Sequence, residues 1–317
     1  MKELAPQSPD GAYMRPAPQS GSGAPPQLQE GEGRYVLFVG NACPWCHRTT
    51  LARALRGLEG AVRVETLDDD PAKASRGGWA LRSPDASLCG GASDLKGVYN
   101  FFAKGPFQGR CTAPLLVDVF DGSIVSNESA DILRAFALFR KAGNRVDLRP
   151  LKDAADIDKA NDWIYELVNN AVYRCGFATS QQAYNEAEAD VHAGLERADD
   201  ALALHRFVAG EYVTEADVRL LPTIERFDAC YATLFRCGRK TVRHDYANLQ
   251  RWRTEMRSLA GVKETIDVDA ATKSYFTSLF PLNPSGLVPV PPAADTPLGA
   301  DETALQIDLE IVTAVFD

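Results

Sequence analysis

The chain has 317 residues, 45% hydrophobic and 24% charged, a composition that suits a globular protein of two ordinary domains. Its formal net charge of -9 leaves no basic face for a phosphate backbone, which argues against nucleic acid as a partner. No apolar run approaches the ~20 residues that cross a bilayer, so no membrane association is expected. The N-terminus also lacks the apolar core of a secretory signal, so the expected location is cytoplasmic, with organelle import left open. Seven cysteines, odd in number and irregular in spacing, do not form the pattern of a disulfide framework.

Residues 1–33 are rich in Pro, Gly, Ser and Gln without periodicity, and read as a disordered or loose arm. Arg34–Val39 is a short β-branched and aromatic run that predicts a buried strand. Gly40-Asn41-Ala42 turns the chain. Pro44 then stands where a first helical residue would stand, and Trp45–Leu58 has helix-forming composition. Ala61–Leu67 predicts a second strand. From Asp68 to Gly109 the pattern is lost and Gly, Ser and Asp accumulate; a stretch that long inside a compact domain is usually functional. Pro114–Phe120 and Ser123–Ser126, joined at Asp121-Gly122, predict a hairpin, and Ser126 or Asn127 can cap a helix through Phe139.

The order βαβ…ββα is that of a thioredoxin-like α/β domain over 34–144 with a long insertion at 68–109. Residues 145–152 then read as a linker. Ile157–Arg174, Gln181–Leu204, Ala216–Phe235 and Tyr246–Ser258 carry apolar residues at helical spacing, which predicts an all-α domain over 153–280. Thr214 and Asp217 form a pair of the capping-box kind ahead of Val218-Leu220-Leu221. A Pro-rich extension, 281–317, ends in an apolar segment at Leu305–Phe316.

The chemistry concentrates at Cys43-Pro44-Trp45-Cys46-His47-Arg48. With Pro44 opening the helix, Cys43 lies at its N-terminus, where free N–H groups and the macrodipole stabilise an anion. A thiol placed there has a lowered pKa, and the thiolate is the nucleophile. Cys46, one turn further in, is expected to be more buried and a poorer attacker. The plainer readings are two structural cysteines or half a zinc site. Zinc would need two more thiols or imidazoles at short spacing, and the remaining Cys and His are scattered, so no metal is expected.

Two further segments gain meaning beside Cys43. In Thr112-Ala113-Pro114 a cis-proline would expose the preceding backbone for antiparallel pairing with a peptide-like ligand, although a proline at a strand start is common. Ser126-Asn127-Glu128-Ser129 opens a helix whose N–H groups and Ser129 hydroxyl suit a carboxylate, while Glu128 suits an ammonium. A γ-glutamyl group carries both charges on one carbon. Taken alone, Glu128-Ser129 could simply be a helix cap.

Together these residues resemble a glutathione transferase, and specifically the glutathionyl-hydroquinone reductases, or xi class. Cys43-Pro44-Trp45 with His47-Arg48 is similar to that family's active-site motif. Gly77-Gly78-Trp79 matches its Gly-Trp, Arg110 with Thr112 and Pro114 its Arg-x-Thr-Val-Pro, and Ile124 to Ser129 its Ile-Val-Ser-Asn-Glu-Ser. In the helical half, Val172 to Ala178 with Gln181 and Tyr184, Thr214 to Asp217, Arg226-Phe227-Asp228 with Tyr231, Tyr275, and Asn283-Pro284 resemble family signatures.

The resemblance implies a reductase that takes glutathione as co-substrate and removes glutathione from glutathionyl-hydroquinones through a Cys43–glutathione mixed disulfide. It implies that Trp79, Arg110, Ala113, Glu128 and Ser129 hold glutathione, that Tyr173 and Tyr275 orient and protonate the substrate, and that the chain is a homodimer. This chain departs from the family at Cys46, where alanine is usual, at Ala113, where valine is usual, and at Ser274 and Leu279-Phe280. Cys46 could therefore be a resolving thiol. A glutaredoxin-like dithiol enzyme and a non-catalytic module on the transferase fold are the competing readings.

Overall fold

A computed structural model describes residues 5–16, 25–68, 79–83, 85–140, 145–279 and 282–290. The N-terminal half runs β1 (Tyr35–Val39), α1 (Pro44–Arg56), β2 (Val62–Asp68), β3 (Ala80–Leu81), α2 (Ala86–Cys89), α3 (Leu95–Phe102), β4 (Leu115–Asp118), β5 (Ser123–Ser126) and α4 (Ser129–Leu138). The helical half runs α5 (Ala154–Trp163), α6 (Ala171–Phe177), α7 (Gln181–Leu204), α8 (Glu215–Arg226), α9 (Ala232–Leu234), α10 (Val242–Asp245), α11 (Ala247–Ser258) and α12 (Val268–Ser278). The result is the thioredoxin-like domain and the helical domain expected from the sequence.

The strands order as β3-β2-β1-β4-β5, with β1 and β2 parallel and the other neighbours antiparallel. All five residues of β1 are buried because its two faces meet two different cores. Tyr35, Leu37 and Val39 point into a core that runs through α1, α4 and the helical domain. Val36 and Phe38 point the other way, onto Leu95, Val98, Tyr99 and Phe102 of α3. Strand alternation places successive side chains on opposite faces, and each fully buried large apolar side chain stabilises the fold by ~1.5–3 kcal/mol.

Four expectations change. The 68–109 insertion contains an amphipathic helix, α3, which closes the second face of the sheet; Asp94 caps it by accepting from the Gly97 N–H at 2.8 Å. The segment expected as one helix over Ile157–Arg174 is two, joined by a π-helical turn at Ile164–Asn169, and a second π-turn at Phe227–Tyr231 interrupts Ala216–Phe235. Such wide turns re-aim side chains and recur at functional sites. Helix α12, not anticipated, brings Tyr275 into the structure.

The fourth correction is at the N-terminus. Residues 5–16 are not the loose arm that their composition suggests, since Gln7 Nε2 donates to the Phe177 carbonyl at 3.0 Å and the Thr179 N–H donates to the Gly11 carbonyl at 3.0 Å. Hydrogen bonds to residues far along the chain, which leave no periodic trace, hold this segment. Leu305–Phe316 lies outside the described residues.

The two halves lock through buried polar contacts. Arg134 of α4 donates from Nε to both carboxylate oxygens of Glu215 on α8, at 2.7 and 2.9 Å, and Glu215 is fully buried. Thr214 and Asp217 form the expected capping box, and Trp252 Nε1 donates to Asp217 Oδ1 at 2.9 Å. Capping satisfies N–H groups that the helix start leaves orphaned.

Candidate functional site

Pro44 is the first residue of α1 and Cys43 its N-cap, with extended backbone angles (φ -74°, ψ 117°). Cys43 is half-buried and its Sγ lies 3.9 Å from the Ala113 carbonyl oxygen, beside the cis Ala113–Pro114 peptide. Hydrogen bonding from the Cys46 thiol, the N–H groups of Cys46 and Trp45, and the nearby Arg226 charge together overcome burial and bring the Cys43 thiol down to about 7. The same surroundings act oppositely on Cys46: burial, and then the neighbouring Cys43, push it well above its ordinary value. Cys46 Sγ instead accepts the Gly40 N–H at 3.4 Å. As expected from position, Cys46 is the more buried of the two thiols, and its pKa moves in the opposite direction to that of Cys43.

The loop ahead of Cys43 is clamped from the other domain. Arg226, buried at the end of α8, donates from Nε to the Ala42 carbonyl at 3.0 Å and from Nη2 to the Asn41 carbonyl at 3.1 Å. Its Nη1 donates to His47 Nδ1 at 2.9 Å, which fixes the imidazole tautomer, so that Nε2–H faces Thr265 Oγ1 at 3.0 Å. Burial, followed by the Arg226 charge, pushes His47 well below its ordinary value and keeps it neutral. On the other side of the loop, Trp79 packs over Gly40, where a Cβ would come 2.3 Å from the indole.

Two cavities flank the Cys43 loop and share Trp45 as a wall. A polar one of about 260 Å³ is lined by Arg110, Thr112, Ala113, Asn127, Glu128 and Ser129 on the thioredoxin-like side, and it extends to Arg15, Trp45 and Tyr165. Glu128 does cap α4, its Oε1 accepting the Ala130 N–H at 3.0 Å, and its carboxylate also lines this cavity. An apolar cavity of about 240 Å³ is lined by Cys43, Trp45, Trp79, Tyr173, Phe177, Ser274, Tyr275 and Leu279. Four of the five expected glutathione-binding residues thus share the polar cavity, while Trp79 lies in the apolar one beside the thiol.

Tyr173 and Tyr275 come together as expected, their hydroxyls 2.6 Å apart, and the buried Tyr231 joins them at 3.0 Å from the Tyr275 hydroxyl. Burial raises all three phenols: Tyr173 to about 12, helped by the Cys43 charge, and Tyr275 and Tyr231 well above the usual phenol value. They therefore stay protonated at neutral pH.

Sequence reasoning missed several members of the site. Arg48 Nη2 donates to Asn169 Oδ1 at 2.9 Å, and Arg15 Nε donates to Asn170 Oδ1 at 2.7 Å. Both guanidinium carbons lie over the Trp45 ring, at 4.5 and 4.4 Å. The π-turn ending at Asn169 is what aims these adjacent asparagines at two arginines on one indole. Arg48 was visible as part of the Cys43 motif, whereas Arg15 carried no sequence signal. Among the described residues no group of three or more His, Cys, Asp or Glu is placed to hold a metal, and no helix is long and apolar enough to cross a membrane.

Comparison with known proteins agrees with this geometry. Residues 42–137 match the family model described as glutathione S-transferase, N-terminal domain, and residues 181–255 the model for its C-terminal domain. The glutathionyl-hydroquinone reductase YqjG of Escherichia coli is 39% identical over 281 residues, covering 84% of this chain and 83% of the relative. The glutathionyl-hydroquinone reductase PcpF of Sphingobium chlorophenolicum is 36% identical over 292 residues, covering 90% and 92%. Among solved structures, the glutathione S-transferase Xi of Phanerochaete chrysosporium superposes with a TM-score of 0.80 at 34% identity, covering 91% of this chain and 95% of that one. The glutathione-bound structure of Escherichia coli YqjG gives 0.76 at 36% identity, covering 91% and 92%. The chain belongs to the glutathionyl-hydroquinone reductases, the xi class of the glutathione transferases, and is a glutathione-dependent oxidoreductase.

Proposed function

We propose that the chain removes glutathione from glutathionyl-hydroquinones, with Cys43 as the nucleophile. The observation that carries this reading is the Cys43 thiol, lowered to about 7, which lines an apolar cavity with Tyr173 and Tyr275 and lies 3.9 Å from the carbonyl oxygen of Ala113, a residue of the neighbouring polar cavity. The polar cavity suits a charged tripeptide, and the apolar cavity suits an aromatic ring.

The Cys43 thiolate attacks the thioether sulfur of the substrate, forming a Cys43–glutathione disulfide as the carbon–sulfur bond breaks. The electron pair of that bond stays on the ring carbon, which takes a proton from the Tyr173–Tyr275 pair and leaves as hydroquinone. A second glutathione, as thiolate, attacks the glutathionyl sulfur, releasing glutathione disulfide and restoring the Cys43 thiolate. The substrate's thioether sulfur and the thiol sulfur of the second glutathione are oxidised to one disulfide while carbon–sulfur is reduced to carbon–hydrogen, and the proton shed by the second glutathione restores the tyrosine pair, so atoms and electrons balance. Arg110, Ala113, Glu128 and Ser129 hold the tripeptide, with Trp79 flanking the thiol, and Cys46 takes no obligatory part.

The test is turnover of a glutathionyl-hydroquinone together with intact mass after treatment with glutathione disulfide. The wild-type chain should release hydroquinone and gain one glutathionyl group, and Cys43→Ser should do neither. An internal Cys43–Cys46 disulfide in place of the adduct would establish the dithiol reading. Turnover surviving in Cys43→Ser would overturn the assignment of the nucleophile, and a wild-type chain without turnover or adduct would favour a non-catalytic module.

A further inference from the structure

The N-terminal segment 5–16 is fastened like a strap beside the polar cavity. Besides the two bonds described above, Thr179 Oγ1 donates to Gln7 Oε1 at 2.8 Å and Ser180 Oγ donates to the Asp10 carbonyl at 2.7 Å. Gly11 permits the close approach. Its φ is +88°, and a Cβ there would come 2.9 Å from Thr179 Oγ1 and 3.0 Å from the Ser180 nitrogen. Tyr13 is buried, with its ring 5.5 Å from that of Phe177.

This fastening aims Arg15 into the cavity. Nε is engaged by Asn170, and the guanidinium lies 4.4 Å from the Trp45 ring centroid and 4.8 Å from that of Tyr173. Its Nη2 is buried and has no hydrogen-bond partner among the described residues. Asn127, 7% exposed, lines the same cavity; its Nδ2 donates to the Tyr99 hydroxyl at 2.9 Å, while its Oδ1 has no partner among the described residues. Buried polar atoms of native proteins are nearly always paired, so an unpaired donor and an unpaired acceptor on two residues that line one cavity point to a ligand that supplies both complements.

We propose that Arg15 binds the α-carboxylate of the γ-glutamyl group, which makes the strap a built part of the glutathione site. The inference rests on the glutathione site of the proposed function and adds a residue to it. Tyr165 and Arg48 each feel the charges of both Arg15 and Glu128, and Arg48 Nη1 donates to Ser129 Oγ at 3.5 Å, so Arg15, Glu128 and Ser129 line the same part of the cavity. There Glu128 meets the ammonium, and the carboxylate on the same carbon meets the Ser129 hydroxyl and the Arg15 fork. A guanidinium presents parallel N–H groups that match a carboxylate, and its stacking on Trp45 and its bond to Asn170 hold the fork in place before the ligand arrives. Asn127 Oδ1 accepts an N–H of the tripeptide.

The test is calorimetric titration of the full chain with S-methylglutathione, a thioether whose methyl group, unlike a hydroquinone ring carbon, cannot leave when a thiolate attacks the sulfur. A second titration uses the analogue lacking only the γ-glutamyl α-carboxylate, in which 4-aminobutanoyl replaces γ-glutamyl. Arg15→Met should weaken S-methylglutathione at least tenfold and leave the analogue within about twofold, because a charge-assisted bond is lost only where its acceptor exists. Arg15→Lys should recover part of the loss. Gly11→Val, which alters no ligand-facing side chain, should dislodge the strap and reproduce the selective loss. Equal weakening of both ligands by Arg15→Met would make Arg15 a packing residue and overturn the proposal, as would unchanged binding in Arg15→Met or in Gly11→Val. A wild-type chain that binds neither ligand would instead overturn the glutathione site on which the proposal rests.

Discussion

The tyrosine chain allows a prediction with internal controls. Three protonated phenols are joined by two hydrogen bonds, Tyr173–Tyr275 at 2.6 Å and Tyr275–Tyr231 at 3.0 Å, which leaves one hydroxyl proton for a ligand. Tyr231 is fully buried and does not line the apolar cavity, so its hydroxyl donates inward to Tyr275. The free proton then falls to Tyr275 or Tyr173, which both line that cavity. Removing a positioned general acid typically costs ~10²–10⁴-fold in rate, so Tyr275→Phe should lower kcat for a glutathionyl-hydroquinone by at least about a hundredfold. Tyr231→Phe removes one hydrogen bond to a donor, worth ~0.5–1.5 kcal/mol, and should lower kcat only a few-fold. Tyr275→Phe also strips Tyr231 of its acceptor, so the denaturant midpoint should fall by an amount corresponding to ~1–3 kcal/mol. Steady-state kinetics with each variant, beside denaturant titration, make the check. Equal losses of kcat in Tyr231→Phe and Tyr275→Phe would refute the reasoning, because a group outside the cavity cannot donate to its contents.

The rate of Cys43 alkylation by iodoacetamide should rise with pH through a midpoint at about 7, because the thiolate is the reacting form and its proton leaves near that value. A midpoint near the ordinary thiol value would show that the helix terminus and Arg226 do not act on it. Cys46→Ala should keep turnover within a few-fold and lengthen the life of the glutathione adduct on Cys43, read by mass spectrometry; abolished turnover would move the mechanism to the dithiol route. In Gly40→Val the new side chain meets Trp79, where even a Cβ would lie 2.3 Å from the indole. That variant should lose stability by ~1–3 kcal/mol and slow Cys43 alkylation, and unchanged thermal unfolding would contradict the packing described.

Much of the catalytic loop was legible because its determinants are local. Pro44 can open a helix but not continue one, so Cys43 had to become the N-cap, and a thiol at an N-cap has a lowered pKa wherever the helix is placed. The continuous burial of β1 and the Thr214–Asp217 capping box follow equally from residues a few positions apart. The Glu128-Ser129 pair was read both as a cap and as a ligand site; the cap is present, and the same carboxylate lines the polar cavity.

What folding alone decided are contacts between distant parts of the chain. Arg226 reaches the Ala42 carbonyl from 184 positions away, and Gln7 reaches Phe177 from 170. The proline-rich composition of residues 1–33 argued for disorder, because it offers no apolar face to bury. Residues 5–16 are placed by hydrogen bonds to a turn that exists only once α6 and α7 have packed. Likewise, the tyrosine chain requires α6, the second π-turn and α12 to converge, and a π-turn inserts a residue into helical spacing that periodicity reads as continuous. The sequence by itself determined the cysteine at the helix terminus and the two domains, through short-range backbone chemistry and periodic burial. Only the tertiary structure decided what surrounds that cysteine, because a hydrogen bond between residues far apart in the chain leaves no mark on the local pattern of either one.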